Sequence, residues 1–178
     1  MRKNACFIAL MLFVFLQTNA QTIVFQDKYD ETKAGVDLTT AGYTLSPKSM
    51  VATVQSKDAI GNNGSQFVKI AVDTQNSIAF GPAVKKLEPG KTYTFEVMTS
   101  APVAKNRTPY ILIGDQKPGA GGRKVGGDVV NAAEWTKSSK SFTLLPGETD
   151  VKFQVYSAEK TIDLYIDDFI VYEGKAKK

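Results

Sequence analysis

Short stretches of alternating apolar and polar residues recur along the chain, and after residue 20 no window keeps an apolar i, i+3, i+4, i+7 spacing for three turns. That pattern predicts an all-β protein. Gln66–Val72 sets Val68, Ile70 and Val72 against Phe67, Lys69 and Ala71. Lys91–Thr99 places Tyr93, Phe95 and Val97 on one face and Thr92, Thr94, Glu96 and Met98 on the other. Val151–Ser157 directs Val151, Phe153 and Val155 inward and Lys152, Gln154 and Tyr156 outward. In Pro109–Gly114 the run Tyr-Ile-Leu-Ile is too apolar for its phase to be assigned, which leaves the facing of Tyr110 open. Turn signals separate the runs: Gly61-Asn62-Asn63-Gly64, Glu88-Pro89-Gly90 and Pro146-Gly147. Half-apolar sheets must cover one another, so the expected architecture is a two-sheet antiparallel β-sandwich.

Two segments break the pattern. In Thr161–Glu173 the residues Ile162, Leu164 and Ile166 share a face, and strict alternation would put Asp168 beside them while exposing Phe169 and Val171. A buried unpaired carboxylate is costly, so either a bulge at Asp167-Asp168 resets the phase or a bound cation compensates the charge. Adjacent strand residues point to opposite faces, which makes this pair a poor acid/base couple for glycoside hydrolysis. The glycine-dense segment Gly119–Gly127 resembles a phosphate loop in composition only, because neither Lys-Ser nor Lys-Thr follows it. It reads as a mobile loop between strands, with Arg123 or Lys124 as side chains able to close over a ligand.

Charge and composition narrow the chemistry. Met1-Arg2-Lys3, the apolar run from Ala5 to Leu16 and Gln17-Thr18-Asn19-Ala20 form a signal peptide, with cleavage expected near Ala20–Gln21. The run is too short to span a bilayer, and Cys6 precedes it, which argues against a lipid anchor. The expectation is a secreted or periplasmic protein without membrane insertion after cleavage. The 178 residues carry a formal charge of +4, but Arg2 and Lys3 leave with the leader and Lys175, Lys177 and Lys178 form a basic tail. Residues 21–174 then hold 17 basic and 18 acidic side chains. The lysines are scattered among acidic neighbours with no basic stripe, so nucleic-acid binding is not expected. The chain has no His and one Cys, which removes His-based nucleophile arrangements, intramolecular disulfides and thiolate-rich zinc sites.

Five segments, taken in order, resemble the carbohydrate-binding modules of families four, nine and twenty-two, jelly-roll sandwiches similar to the galactose-binding-like fold. They are Asn63–Ile70, Val84–Phe95 with its Leu-Glu-Pro-Gly-Lys run, Glu134–Lys137 followed by Ser141–Leu144, Asp150–Tyr156, and Leu164–Val171 with its Asp-Asp. The resemblance covers roughly residues 60–173. It implies that Lys91–Thr99, Pro109–Gly114 and Val151–Ser157 share one sheet whose concave outer face takes a glycan. Glu96, Gln154 and Tyr156 then become candidate ligand contacts, with Tyr110 and Arg123 beside them, while Trp135 falls at a position that packs structurally. Sugar rings present flat C–H faces to aromatic rings and hydroxyls to donors and acceptors, which suits this residue set. Family members often hold a structural calcium, and the matching positions here are Asp27, Asp58, Asp167 and Asp168, although Gln26 stands where the family's first-strand carboxylate would be.

The leading expectation is a non-catalytic polysaccharide-binding domain over residues 21–174, working with a glycoside hydrolase or a cell-surface protein. A protein-interaction or surface-structural sandwich that lacks sugar binding is the alternative. A carboxylate-dependent hydrolase is the third reading, but nothing fixes Glu96 at a catalytic distance from Asp115 or Glu134.

Overall fold

The computed structural model describes residues 21–46, 50–57, 61–71, 78–114, 122–159 and 162–176. Residues 1–20, Asp58 and the start of the glycine-dense segment fall outside them. The described residues form strands β1 (Ile23–Asp27), β2 (Tyr43–Ser46), β3 (Ala52–Gln55), β4 (Phe67–Ile70), β5 (Ile78–Val84), β6 (Thr92–Ser100), β7 (Lys105–Ile113), β8 (Arg123–Gly126), β9 (Val130–Ala132), β10 (Thr136–Thr143), β11 (Val151–Ser157) and β12 (Leu164–Glu173). Two 3-10 turns, Leu38–Ala41 and Asn62–Gly64, are the only helical elements among the described residues.

The strands make two antiparallel sheets. Sheet A runs β10-β6-β12-β4-β3 with β1 also on β12, and sheet B runs β2-β5-β11-β7-β8 with β9 also on β7. This is the expected two-sheet sandwich, a jelly roll, with one correction: β6 belongs to sheet A, whereas β7 and β11 belong to sheet B. Of the three strands expected to share a sheet, β7 and β11 do pair, while β6 faces them across the core.

The predicted phases of β4, β6 and β11 are visible in the packing, with Val72 outside the described residues. Tyr93, Phe95 and Val97 from sheet A meet Val151, Phe153 and Val155 from sheet B in one buried cluster. The ambiguous run in β7 resolves with Ile111 and Ile113 inward; Tyr110 is buried yet lies outside that cluster, on the outer face. Aromatic rings thread the core: Tyr43 stacks on Phe80 at 5.2 Å, Phe169 on Phe95 at 5.5 Å, and Phe95 packs against Phe153 at 4.9 Å.

The irregularity in β12 is a bulge. Asp167 pairs with Met98 and Ile170 with Glu96, so β12 spends one more residue than β6 over this interval. Asp168 takes a left-handed φ of 49°, and the extra residue turns Phe169 and Val171 back into the core. The bulge also falls where the neighbour of β12 changes, β4 pairing with Leu164–Ile166 and β1 with Phe169–Tyr172. Part of the glycine-dense segment is ordered strand, not loop: Arg123–Gly126 pairs with Tyr110–Ile113 as an edge of sheet B.

On β5 the outer face is built from small residues, and Gly81 has no room for a side chain. A Cβ there would lie 2.0 Å from the Phe153 carbonyl oxygen on β11. Gly81→Ala must pry β5 from β11 and is expected to cost about 1–3 kcal/mol, measured as a lower denaturation midpoint; an unchanged midpoint would contradict the close approach.

Candidate functional site

Sheet register places the sequence-predicted residues in two separate locations. On sheet B, Gln154 stands opposite Tyr110, which stands opposite Gly126, while Tyr156 stands opposite Ala79 and Thr108. The Tyr110 and Tyr156 rings lie 6.1 Å apart at a tilt of 56°. Burial, followed by the neighbouring Tyr156, raises the Tyr110 phenol above its ordinary pKa, so it is a neutral donor at physiological pH. Gln154 is buried on this face and donates through Nε2 to Thr44 Oγ1 on β2 at 3.3 Å, which fixes its amide beside the tyrosines. Thr44 in turn donates to the Gly81 carbonyl at 3.0 Å. Across Ala79 and Gly81 this part of the sheet carries little side chain, leaving the rings of Tyr110 and Tyr156 to stand at its border.

Two assignments to this face are corrected. Glu96 lies on sheet A, where Tyr172 donates to it at 2.9 Å and Lys137 approaches at 3.4 Å, so it shares no surface with Tyr156. Arg123 is consumed by structure. Its Nε and Nη2 donate to both Glu148 carboxylate oxygens at 2.7 and 2.6 Å, and Nη2 also donates to the Thr143 carbonyl. That bidentate pair ties β8 to the turn before β11. The neighbouring Lys124 takes the outward position instead, with Nζ 4.0 Å from the Tyr110 ring centre and 5.8 Å from that of Tyr156. Alternation along β8 decides between the two, and β8 was not legible as a strand among so many glycines. Trp135 packs edge-on to Phe67 at 6.0 Å, in keeping with a structural role.

Of the expected calcium positions, Asp27 pairs with Phe169 beside the bulge that carries Asp167 and Asp168. Asp27 accepts from the Tyr29 amide at 2.9 Å and from the Tyr43 hydroxyl at 2.5 Å. Asp168 accepts from the Asn62 side chain at 2.8 Å. Asp167 is fully buried; it accepts from the Ser65 hydroxyl at 2.5 Å and from the Asp168 amide at 2.8 Å. Burial foremost pushes its carboxyl up to about 7, against the pull of those donors, and Asp168 and Asp30 add repulsion. Asp30, one turn beyond β1, accepts from the Gln66 amide at 3.2 Å, so Asp30 and Asp167 flank the Ser65-Gln66 pair. Among the described residues no three acidic or thiol side chains converge as a metal site. The carboxylates of Asp30, Asp167 and Asp168 and the Ser65 hydroxyl put hard oxygens at the bulge, and Lys57 Nζ lies 3.4 Å from Asp30.

The two-sheet fold is that of a carbohydrate-binding module of the β-sandwich type. Residues 23–161 match the CBM_4_9 family, described as a carbohydrate binding domain, and the chain belongs to it; its function is carbohydrate binding. No curated protein matches the sequence. Among solved structures, the chain is similar to the CBM22-2 xylan-binding domain of Paenibacillus barcinonensis Xyn10C, with TM-score 0.65 and 14% identity over 85% of this chain and 99% of that one. It is likewise similar to a xylan-binding domain of the CBM22 type, with TM-score 0.64 and 18% identity over 88% and 98% of the two chains. A third similarity is to the CBM22-1–GH10 modules of Clostridium thermocellum xylanase 10B complexed with xylohexaose, with TM-score 0.63 and 17% identity. It covers 86% of this chain but only 29% of that one.

Proposed function

We propose that the protein binds a polysaccharide, without catalysis, through the outer face of sheet B. Tyr110 and Tyr156 pack against the C–H faces of sugar rings, while Gln154 and Thr44 exchange hydrogen bonds with hydroxyls. The observation that carries this is the pair of tyrosine rings 6.1 Å apart on a sheet face floored by Ala79 and Gly81. A surface of this kind offers stacking and neutral hydrogen bonding together, which sugars require. Xylan is the first polymer to test, since it is what the similar domains are described as binding. Affinity electrophoresis across soluble plant and microbial polysaccharides should show retardation by at least one; no retardation by any, with folded protein, would refute the reading.

The reading extends to setting and support. Cleavage near Ala20–Gln21 would deliver the domain outside the cytoplasm, beside a glycoside hydrolase acting on the same polymer; amino-terminal sequencing of exported protein that began at Met1 would contradict it. Calcium would sit at the bulge, held by Asp167 and Asp30 with the oxygens of Ser65 and Asn62, and would neutralise a carboxylate that burial otherwise penalises. Calcium is therefore expected to raise the melting temperature by several degrees relative to chelated protein. Asp167→Asn should abolish that increment, and identical melting with calcium and with chelator would remove the ion.

A further inference from the structure

The two sheets differ in charge although the domain as a whole is almost neutral. Among the described residues every aspartate and glutamate on a strand lies in sheet A: Asp27 on β1, Glu96 on β6, and Asp167, Asp168 and Glu173 on β12. None of β2, β5, β7, β8, β9 and β11 contains Asp or Glu. Sheet B carries instead Lys105, Arg107, Arg123, Lys124 and Lys152. Three of these are spent within the fold. Lys105 donates to the Glu159 and Ile162 carbonyls, Arg107 to the Thr99, Lys105, Ala132 and Glu134 carbonyls, and Arg123 to Glu148.

Lys124 and Lys152 remain, both exposed, and neither has a carboxylate within ion-pair distance among the described residues. Both stand opposite Leu112, one on each side, in the row next to that of Tyr110 and Gln154. Two strand spacings put their backbones roughly 10 Å apart. Lys124 moreover lies over the ring face of Tyr110. A neutral sugar stacking on Tyr110 must displace that ammonium and gains nothing for it. A sugar bearing an anionic group keeps the ammonium at the edge of the platform and pairs with it.

From this we propose, resting on the sheet B reading above, that the ligand is an acidic polysaccharide whose carboxylate or sulfate ester is recognised by Lys124, with Lys152 taking a further anionic substituent. A near-neutral body with a locally basic face attracts a polyanion through that face alone, and the attraction weakens as salt screens it.

The test compares matched polymers by affinity electrophoresis and titration calorimetry on the mature chain: glucuronoxylan against its carboxyl-reduced form, and carrageenan against its desulfated form. At least tenfold tighter binding to one acidic member than to its neutralised form is expected, the pair concerned telling carboxylate from sulfate ester. Lys124→Gln should cut that preference by about tenfold and Lys152→Gln by less, and 0.5 M salt should erase it. Lys137→Gln, which removes one positive charge from the opposite sheet, should leave the preference intact. Equal binding of acidic and neutralised forms, or an equal loss in Lys137→Gln, overturns the proposal while glycan binding by sheet B stands. Failure to hold any polymer of either pair, acidic or neutral, overturns the platform and the proposal with it.

Discussion

Exchanging Tyr110 and Tyr156 together for alanine is expected to reduce polysaccharide affinity by about a hundredfold. The rings, 6.1 Å apart, form the main flat apolar surface on the outer face of sheet B, since the positions beside them are Ala79, Gly81 and Gly126. Stacking on each contributes about 1–2 kcal/mol once its contact area leaves water, and every 1.4 kcal/mol is about tenfold in affinity. The two single variants separate the contributions. Tyr156 is half-exposed, so Tyr156→Ala removes contact with little structural cost, whereas Tyr110 is nearly buried and Tyr110→Ala also loosens the β7–β11 pairing. Gln154→Ala should be milder, because a hydrogen bond exchanged with water is worth about 1 kcal/mol. The readout is the dissociation constant by calorimetry, with circular dichroism to confirm the fold. Full affinity in a natively folded double variant would move the site off this face.

How much of this site was written in the sequence follows from what alternation does and does not encode. A period of two tells which side chains share a face of one strand, and it gave the facing of Glu96, Gln154 and Tyr156 correctly. It carries no information about which strands are neighbours. β6 is hydrogen-bonded to β10 and β12, partners about forty and seventy residues away, and such crossovers are what separated Glu96 from the tyrosines. Arg123 and Lys124 show the same limit at close range, since only the pairing of β8 with β7 reveals which of them faces outward. The bulge was legible because an aspartate in an apolar phase is an energetic contradiction that some local device has to resolve. Charge distribution has the same limit. The lysines are dispersed along the chain and over both sheets, and the absence of aspartate and glutamate from the strands of sheet B emerges only once strands are sorted into sheets.

That bulge supports the largest stability effect expected in the molecule. Phe169 is fully buried, stacks on Phe95 at 5.5 Å and lies 6.5 Å from Phe80, thereby joining the two sheets. Phe169→Ala removes a ring that both sheets enclose, and close-packed neighbours from two hydrogen-bonded layers cannot collapse into the space. The expected cost is about 3–5 kcal/mol, a large share of the ~5–15 kcal/mol that holds a domain together. For a domain of this size the melting temperature should fall by about 6–20 °C. Phe67 provides the control. It is also buried, at 3% exposure, but on the outer face of sheet A between Tyr165 at 5.3 Å and Trp135 at 6.0 Å. Those two half-exposed rings can settle into the gap, so Phe67→Ala should cost less than half as much. Equal losses would mean that the outer cluster is as rigid as the core, and would contradict the division of β12 and β4 into an inward face that joins the sheets and an outward one that does not.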